Sequence, residues 1–181
     1  MTEFQPFQKI ARLSREIVIT EKIDGTNGLI EIAEDGDFRV GSRTQYITPQ
    51  NDNYGFAAWA YANKQDLLKL GVGRHFGEWW GQGIQRKYGM TEKVFSLFNV
   101  SKWGSEDARP ACCRVVPTLT IWGDFSTAVI LEQLARLREH GSYASPGFMK
   151  PEGIIIYHTQ GNLYFKKTLE KDEEWKGKSA A

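Results

Sequence analysis

The sequence predicts an α+β protein whose strands form antiparallel sheets. Short β-like segments outnumber helical ones, and most connections between them are short, which favours this class over a doubly wound parallel sheet. The chain has 181 residues, 41% of them apolar and 25% charged, enough to bury a core in one domain. We therefore predict one domain over residues 1–170 and a polar C-terminal tail over residues 171–181.

Strands are predicted where β-branched and aromatic residues cluster between turn residues. They cover residues 17–20, 29–32, 38–40, 75–80, 94–100, 118–122, 154–157 and 163–169. With a turn at residues 34–37, the first three would form a β-meander around the motif at residues 21–28. The last two would form a hairpin.

Two helices are predicted from apolar residues at helical spacing. The first covers residues 56–70 and stops at Gly71. The second runs to His140, with Ser126 as its N-cap and Gly141 just beyond its end.

Composition excludes several classes of protein. The net charge of +1 gives no overall basic character of the kind that many nucleic-acid-binding domains carry, although Arg86-Lys87 and Lys166-Lys167 are locally basic. The sequence has no apolar run of about 18 residues and no signal-peptide pattern at its start. The two cysteines, Cys112 and Cys113, are adjacent and lack the spacing of a zinc site, so a reducing cytosol is expected.

The motif Lys22-x-Asp24-Gly25 follows the first predicted strand. By itself it is compatible with an exposed β-turn carrying two charges. Taken alone it favours that turn, and a lysine nucleophile requires that the rest of the chain supply carboxylates and further cations.

Carboxylates and a basic pair occur at strand positions further along. Glu78 lies among aromatic residues, where a carboxylate needs donors from the protein or from ligand hydroxyls. Glu152 lies at the mouth of an apolar strand, where it could hold hydrated Mg²⁺. Lys166 and Lys167 are adjacent in one strand, so their side chains face opposite ways. Each of these also has a purely structural explanation, such as a salt bridge or solvation.

Taken together, these segments resemble the covalent nucleotidyltransferases, the superfamily of ATP-dependent polynucleotide ligases and mRNA capping enzymes. The resemblance covers residues 17–169 and runs in the family's order through Lys22-Ile23-Asp24-Gly25, Ser42-Arg43, Phe76-Gly77-Glu78, the strand at residues 94–98, Glu152-Gly153 and Lys166-Lys167. The first motif, with Glu21 and Asn27 beside it, looks most like the nick-sealing RNA ligases of bacteriophages and bacteria. Their fold would be a nucleotidyltransferase domain, with helices flanking the sheets around a nucleotide pocket.

The resemblance implies an ATP-dependent RNA ligase that joins 5′-phosphate and 3′-hydroxyl ends. Lys22 would attack the α-phosphorus of ATP, expel pyrophosphate and carry AMP to the 5′-phosphate, after which the 3′-hydroxyl displaces AMP. The implied cofactors are ATP and Mg²⁺ or Mn²⁺, and the implied partner is RNA with nicked or broken ends, or a duplex containing DNA. The location would be the cytoplasm, of a bacterium or of a phage-infected host.

Roles follow by resemblance for individual residues. The implied catalytic residues are Lys22, Asp24, Glu152, Lys166 and Lys167, with Glu152 also organising the metal ion. The implied nucleotide-binding residues are Glu21, Lys22, Asn27, Arg43, Glu78, Phe98, Lys166 and Lys167. Among these, Glu21 would contact adenine, Phe98 would stack on it, and Glu78 would accept from the ribose.

The chain departs from the family in two respects. The last motif usually reads Lys-x-Lys, so it is open which of Lys166 and Lys167 faces the phosphate. Ligases also usually carry a C-terminal domain, often an OB-fold, and we expect none here, so the chain would be a minimal enzyme or another chain would supply that part. The alternatives are a DNA ligase, a GTP-dependent capping guanylyltransferase, a nucleic-acid-binding module without activity and an unrelated α+β domain.

Overall fold

The computed structural model describes residues 4–170, which form two β-sheets flanked by helices. The strands are β1 (Ile17–Lys22), β2 (Thr26–Ile32), β3 (Phe38–Gly41), β4 (Tyr46–Ile47), β5 (Gly73–Gly81), β6 (Lys93–Leu97), β7 (Cys113–Val115), β8 (Thr118–Trp122), β9 (Gly153–His158) and β10 (Leu163–Thr168). The helices are α1 (Phe56–Ala62), α2 (Lys64–Leu67), α3 (Val100–Trp103) and α4 (Thr127–His140), with 3₁₀ turns at Leu68–Leu70 and Glu106–Ala108. The α+β prediction is confirmed. The predicted tail lies outside the described residues.

The strands divide between a four-stranded sheet, ordered β10-β9-β1-β8, and a six-stranded sheet, ordered β4-β3-β2-β5-β6-β7. Neighbours pair antiparallel except β6 and β7, which run parallel. The predicted β-meander around residues 21–28 is wrong, because β1 belongs to one sheet while β2, β3 and β4 form a meander in the other. Residues 23–25 instead cross between the sheets. The predicted hairpin of β9 and β10 is confirmed.

Helix boundaries follow local capping. The second predicted helix is confirmed as α4, and the Ser126 hydroxyl accepts the Val129 amide at 3.4 Å as its N-cap. The first predicted helix is broken at Asn63, which has φ −102° and ψ 15°. The Asn63 side chain donates to the Trp59 carbonyl at 2.8 Å, a local bond of the kind that competes with continuous helix.

The strand predicted over residues 94–100 ends earlier than expected. β6 stops at Leu97, because the Asn99 side chain accepts the Lys102 amide at 3.1 Å and starts α3. Alternation of apolar residues continues past Leu97 in the sequence and conceals this cap. Among the described residues, no helix combines the length and apolar character that crossing a membrane requires.

Three apolar clusters hold the layers together. One packs α4 on the four-stranded sheet through Ile19, Leu137 and Ile154. A second packs α1 on the six-stranded sheet through Phe56 and Phe95. The third joins the two sheets where the chain crosses between them, and its buried members are Ile23, Trp80, Tyr88, Val94 and Val116. Burial in this third cluster fixes one sheet against the other and closes one end of the cleft between them.

Exposure along β5 shows where that cleft opens. Arg74, Phe76, Glu78 and Trp80 alternate onto one face of the strand. The first two are exposed, while Glu78 and Trp80 are buried. Along this face of β5, the exposed residues therefore end at Phe76 and the buried residues begin at Glu78. Glu78 lies at the floor of the cleft.

Candidate active site

Lys22 and Glu152 meet at the ends of adjacent strands. Lys22 is the last residue of β1 and pairs with Gly153, the first residue of β9. Lys22 Nζ lies 2.5 Å from Glu152 Oε2, with side chains 23% and 18% exposed. The structure thus brings together a lysine and a carboxylate that are 130 positions apart in the chain.

Glu78 faces this pair from the other sheet, opposite Asn27 in the β2–β5 register. Its Oε1 accepts the Gly25 amide at 3.0 Å, and its Oε2 accepts from Asn27 Nδ2 at 3.1 Å. Burial raises the pKa of Glu78 to about 7, against the lowering effects of Lys22 and of these two hydrogen bonds. Asn27 therefore holds Glu78 in place. The sequence predicted a role for Asn27 in nucleotide binding but did not predict this contact.

Gly25 lets the crossing segment approach β5 closely. A Cβ on Gly25 would lie 2.4 Å from the Trp79 carbonyl oxygen and 2.7 Å from the Trp80 Cβ. Since neither atom can move without displacing the strand, only glycine fits. This close approach is what allows the Gly25 amide to reach Glu78.

Asp24 is held by the segment that follows β5. Its carboxylate Oδ2 accepts from Arg86 Nε at 3.0 Å, and its backbone amide donates to the Tyr88 hydroxyl at 2.9 Å. These contacts agree with a role in shaping the turn after Lys22.

Glu21 is buried on the opposite side of β1 from Lys22. Its carboxylate accepts the Ser142 hydroxyl at 2.6 Å and the amides of Tyr143 and Ala144 at 2.8 and 2.9 Å. Burial raises the pKa of Glu21 in spite of these bonds. The carboxylate secures the loop after α4, and its predicted contact with adenine stays a prediction.

The register of β10 separates the two lysines of the last motif. Lys166 lies opposite Ile155, which pairs with Thr20, so Lys166 shares the sheet face of Lys22. Lys167 lies opposite Ile154 on the face covered by α4. This geometry favours Lys166 as the lysine beside the cleft, and the predicted phosphate contact of Lys167 stays a prediction.

Arg43 and Phe98 both lie just beyond the ends of strands of the six-stranded sheet. Arg43 is exposed and lines a polar cavity of about 270 Å³ together with Thr26, one residue before Asn27. Phe98 directly follows β6, and its amide donates to the Phe76 carbonyl at 3.0 Å. Both residues are partly exposed, Phe98 to 38% and Phe76 to 47%.

The acidic residues near Lys22 form no protein-only metal cage. Within residues 4–170, no group of three or more His, Cys, Asp or Glu side chains is arranged to hold an ion. Mg²⁺ commonly binds through one or two carboxylates, completing its shell with water and substrate phosphates. The donor set around Glu152 fits a hydrated ion that arrives with a nucleotide.

Two sheets that bring a lysine, Lys22, together with two carboxylates, Glu152 and Glu78, form the kind of site that the resemblance to the covalent nucleotidyltransferases implies. Residues 15–171 match the sequence profile of the family described as RNA ligase. Because this match spans most of the chain, the protein belongs to the RNA ligase family. Comparison with curated protein sequences gives no significant match.

Solved structures of Naegleria gruberi RNA ligase share the fold. A lysine mutant of that ligase with ATP and Mn superposes with a TM-score of 0.63 at 20% identity, covering 86% of this chain and 49% of that one. An arginine mutant with ATP and Mn gives 0.64 at 20% identity, covering 87% and 51%. The ligase with PPi gives 0.61 at 19% identity, covering 86% and 50%. This chain therefore spans about half the length of the ligase it resembles.

Sequence reasoning missed part of the site. It treated Arg86 and Lys87 only as a local basic pair and gave no role to Tyr88 or Ser142. The sequence signal available for the first segment was its density of glycine, with Gly81, Gly83 and Gly89 around it, which indicates a tight conformation. No local pattern relates Ser142 to Glu21.

Proposed function

We propose that this chain is the nucleotidyltransferase domain of an ATP-dependent RNA ligase, working in the cytoplasm. In this proposal Lys22 forms a covalent lysyl-AMP intermediate and transfers AMP to the 5′-phosphate of RNA. The observation that carries the proposal is the ion pair of Lys22 with Glu152 at the floor of a cleft that Glu78 faces from the opposite sheet. An exposed turn lysine would have no such surroundings.

Lys22 must be neutral when it reacts, and neutralising an unperturbed lysine near pH 7.4 costs about 4 kcal/mol. Positive charge beside an amine lowers that cost, and β10 carries Lys166 on the same sheet face as Lys22. Glu152 orients the amine at 2.5 Å, and the ion pair must open before the lone pair can reach phosphorus. Chemistry of this kind depends mainly on positioning and charge stabilisation.

In this proposal, ligation consists of three group transfers, each of which forms one bond to phosphorus and breaks another. A nitrogen–phosphorus bond forms between Lys22 Nζ and the α-phosphorus while the bond to the leaving pyrophosphate breaks. The ammonium group loses two protons to solvent, one before the attack and one as the bond forms, so the adduct keeps one N–H. An oxygen of the RNA 5′-phosphate then attacks the same phosphorus and releases Lys22. The 3′-hydroxyl finally attacks the activated 5′-phosphate and expels AMP, which leaves a phosphodiester.

The remaining residues bind and orient the nucleotide. Glu78 has lone pairs left for ribose hydroxyls after bonding Gly25 and Asn27, and Phe98 offers a partly exposed ring for the base. Glu152 would also hold a hydrated Mg²⁺ or Mn²⁺, which supplies positive charge to the phosphates when bound. Arg43, with its planar fork of donors, would meet the sugar or the RNA end.

The test is covalent labelling. Incubation with α-labelled ATP and Mg²⁺ should give a protein–AMP adduct that survives alkali, is cleaved by acid as a phosphorus–nitrogen bond is, and is absent in Lys22→Ala. Glu152→Ala should stay folded and lose the adduct, because the amine loses its orienting partner. Arg136→Ala is a matched control, because Arg136 pairs with Glu132 on the surface of α4, and it should label normally.

The outcomes separate the alternatives. Labelling by GTP instead of ATP would identify a capping-type guanylyltransferase, and preference for nicked DNA over nicked RNA would identify a DNA ligase. Absence of label with both nucleotides would contradict the proposal and leave a binding module. Full labelling of Glu152→Ala would remove Glu152 from the site.

We propose that joining RNA ends needs more than this domain. The Naegleria ligase is about twice as long as the part that this chain covers, which supports a further domain or a partner chain that grips RNA. If so, residues 1–181 alone should form the adduct but seal RNA ends poorly. Efficient sealing of nicked RNA by this chain alone would contradict the need for a partner and identify a minimal enzyme.

A further inference from the structure

We propose that Arg86 is a positioning residue that sets the distance between Lys22 and Glu152 by fastening together the two chain segments that carry them. This inference rests on the proposed function of Lys22. It assigns to the segment after β5, residues 82–90, a task that neither the motifs nor the family comparison includes.

The need for such a fastening follows from the strand register. β1 and β9 are paired up to Lys22 and Gly153, and the ladder ends there. Asp24 lies two residues after Lys22 on one chain, and Lys150 lies two residues before Glu152 on the other. No ladder bond holds these two segments together, so the ion pair at 2.5 Å needs another constraint on its far side.

One guanidinium group bridges the gap. Arg86 Nε donates to Asp24 Oδ2 at 3.0 Å, and Arg86 Nη1 donates to the Lys150 carbonyl at 3.2 Å. A third contact, from Nη2 to Glu170 Oε2 at 3.5 Å, reaches the chain just after β10. The side chain is 26% exposed, so these bonds are only partly open to competition from water.

Tyr88 makes a second connection, within the core, between the segment after Lys22 and the segment before Glu152. Its hydroxyl accepts the Asp24 amide at 2.9 Å, while its ring packs against Phe148 at 4.7 Å between centroids. Its carbonyl accepts the Ser145 hydroxyl at 2.8 Å. Tyr88 is 1% exposed, so the segment that carries Arg86 is anchored to both sides of the gap.

The backbone conformation of this segment indicates that tertiary contacts maintain it. Gln85, Lys87 and Tyr88 have φ of +42°, +60° and +50°, a region that non-glycine residues seldom adopt. Such strain persists where surrounding contacts over-determine the chain, and it is common at functional sites. The strained turn places the Arg86 side chain between Asp24 and Lys150.

The test measures the chemical reactivity of the Lys22 amine, and it does not depend on catalysis. Each protein is treated with a small amine-reactive acetyl ester, and mass spectrometry gives acetylation rates of Lys22 and of Lys69, which pairs with Asp66 of α2. Arg86→Ala should raise the Lys22 rate about tenfold, towards that of Glu152→Gln, and leave Lys69 unchanged. Arg86→Lys should be intermediate, because one ammonium group cannot make both bonds. Arg136→Ala should match the wild type.

Adenylylation gives a second readout. In Arg86→Ala the rate at saturating ATP should fall about tenfold, while the ATP concentration for half-saturation stays within about twofold, because positioning rather than binding is lost. Tyr88→Phe keeps the packing and removes the hydroxyl acceptor, so it tests the connection if Arg86→Ala unfolds, which would show as faster acetylation of Lys69 as well.

Two results would overturn the inference: wild-type acetylation of Lys22 in both Arg86→Ala and Tyr88→Phe, or an equal effect of Arg136→Ala. A wild-type protein that forms no AMP adduct but shows the acetylation pattern would overturn the proposed function and leave the role of Arg86 intact.

Discussion

Folding changes the protonation of Glu78, one of the two carboxylates of the candidate site. Its ordinary pKa of 4.5 rises to about 7, since burial penalises the charged form more than Lys22, Gly25 and Asn27 favour it. Between pH 4.5 and about 7, the folded protein therefore keeps a proton on Glu78 that the unfolded chain has released. This arrangement favours a ligand that brings hydroxyl donors to the carboxylate.

We predict that Glu78→Gln flattens the pH dependence of stability. The folded-state pKa is raised, so the contribution of this group is fully present below pH 4.5 and is lost as pH rises through about 7. The loss is on the order of 3 kcal/mol. Denaturant unfolding across this window should show the wild type losing stability relative to Glu78→Gln. Glu92→Gln, on the surface, is the control, and parallel curves for wild type and Glu78→Gln would contradict the assignment.

The pairing of β9 with β10 carries the last motif to the cleft, and it depends on Gly153. A Cβ there would lie 2.2 Å from the Lys167 carbonyl oxygen and 2.7 Å from the Thr168 Cα. A side chain would push β10 away from β9, and Lys166 with it. The glycine after Glu152 is therefore required by strand packing as well as by access to the site.

We predict that Gly153→Ala destabilises the protein by about 1–3 kcal/mol, as overpacking usually does, and lowers adenylylation. Gly123→Ala is the matched control, because its Cβ would have nothing within 4 Å. Chemical denaturation of both variants measures the first effect, and AMP labelling measures the second. Equal stability of the two variants would show that β10 accommodates the side chain.

At the scale of the whole molecule, charge bears on the RNA binding that the proposed function requires. The net charge is +1, so any grip on RNA depends on local cations such as Lys166 and Arg43. Phosphate contacts release counterions, and each one makes binding weaker as salt rises.

We predict that raising KCl from about 50 to about 200 mM lowers transfer of AMP to a 5′-phosphorylated RNA more than it lowers adenylylation of Lys22, because RNA offers more phosphates than ATP. Single-turnover labelling separates the two steps. Transfer that does not respond to salt would contradict electrostatic recognition by this chain.

Much of the fold follows from local pattern. Alternating and continuous apolar runs located β1, β5, β8, β9 and β10, and a serine cap located α4. Two of the failures share one cause: a polar side chain overrides the periodicity, as Asn63 does in the first helix and Asn99 does at the end of β6. β7 was missed because three residues give too short a pattern, and only its parallel pairing with β6 makes it a strand.

The sequence by itself determined which chemical groups are available and in what order: a lysine after a strand, two carboxylates and an adjacent lysine pair. Only the tertiary structure decided that Lys22 contacts Glu152, that the register directs Lys166 rather than Lys167 to the face of Lys22, and that Arg86 bridges Asp24 and Lys150. Strand periodicity fixes relative faces along one segment. Which segments become neighbours depends on the long-range burial that joins the two sheets through Ile23, Trp80 and Tyr88.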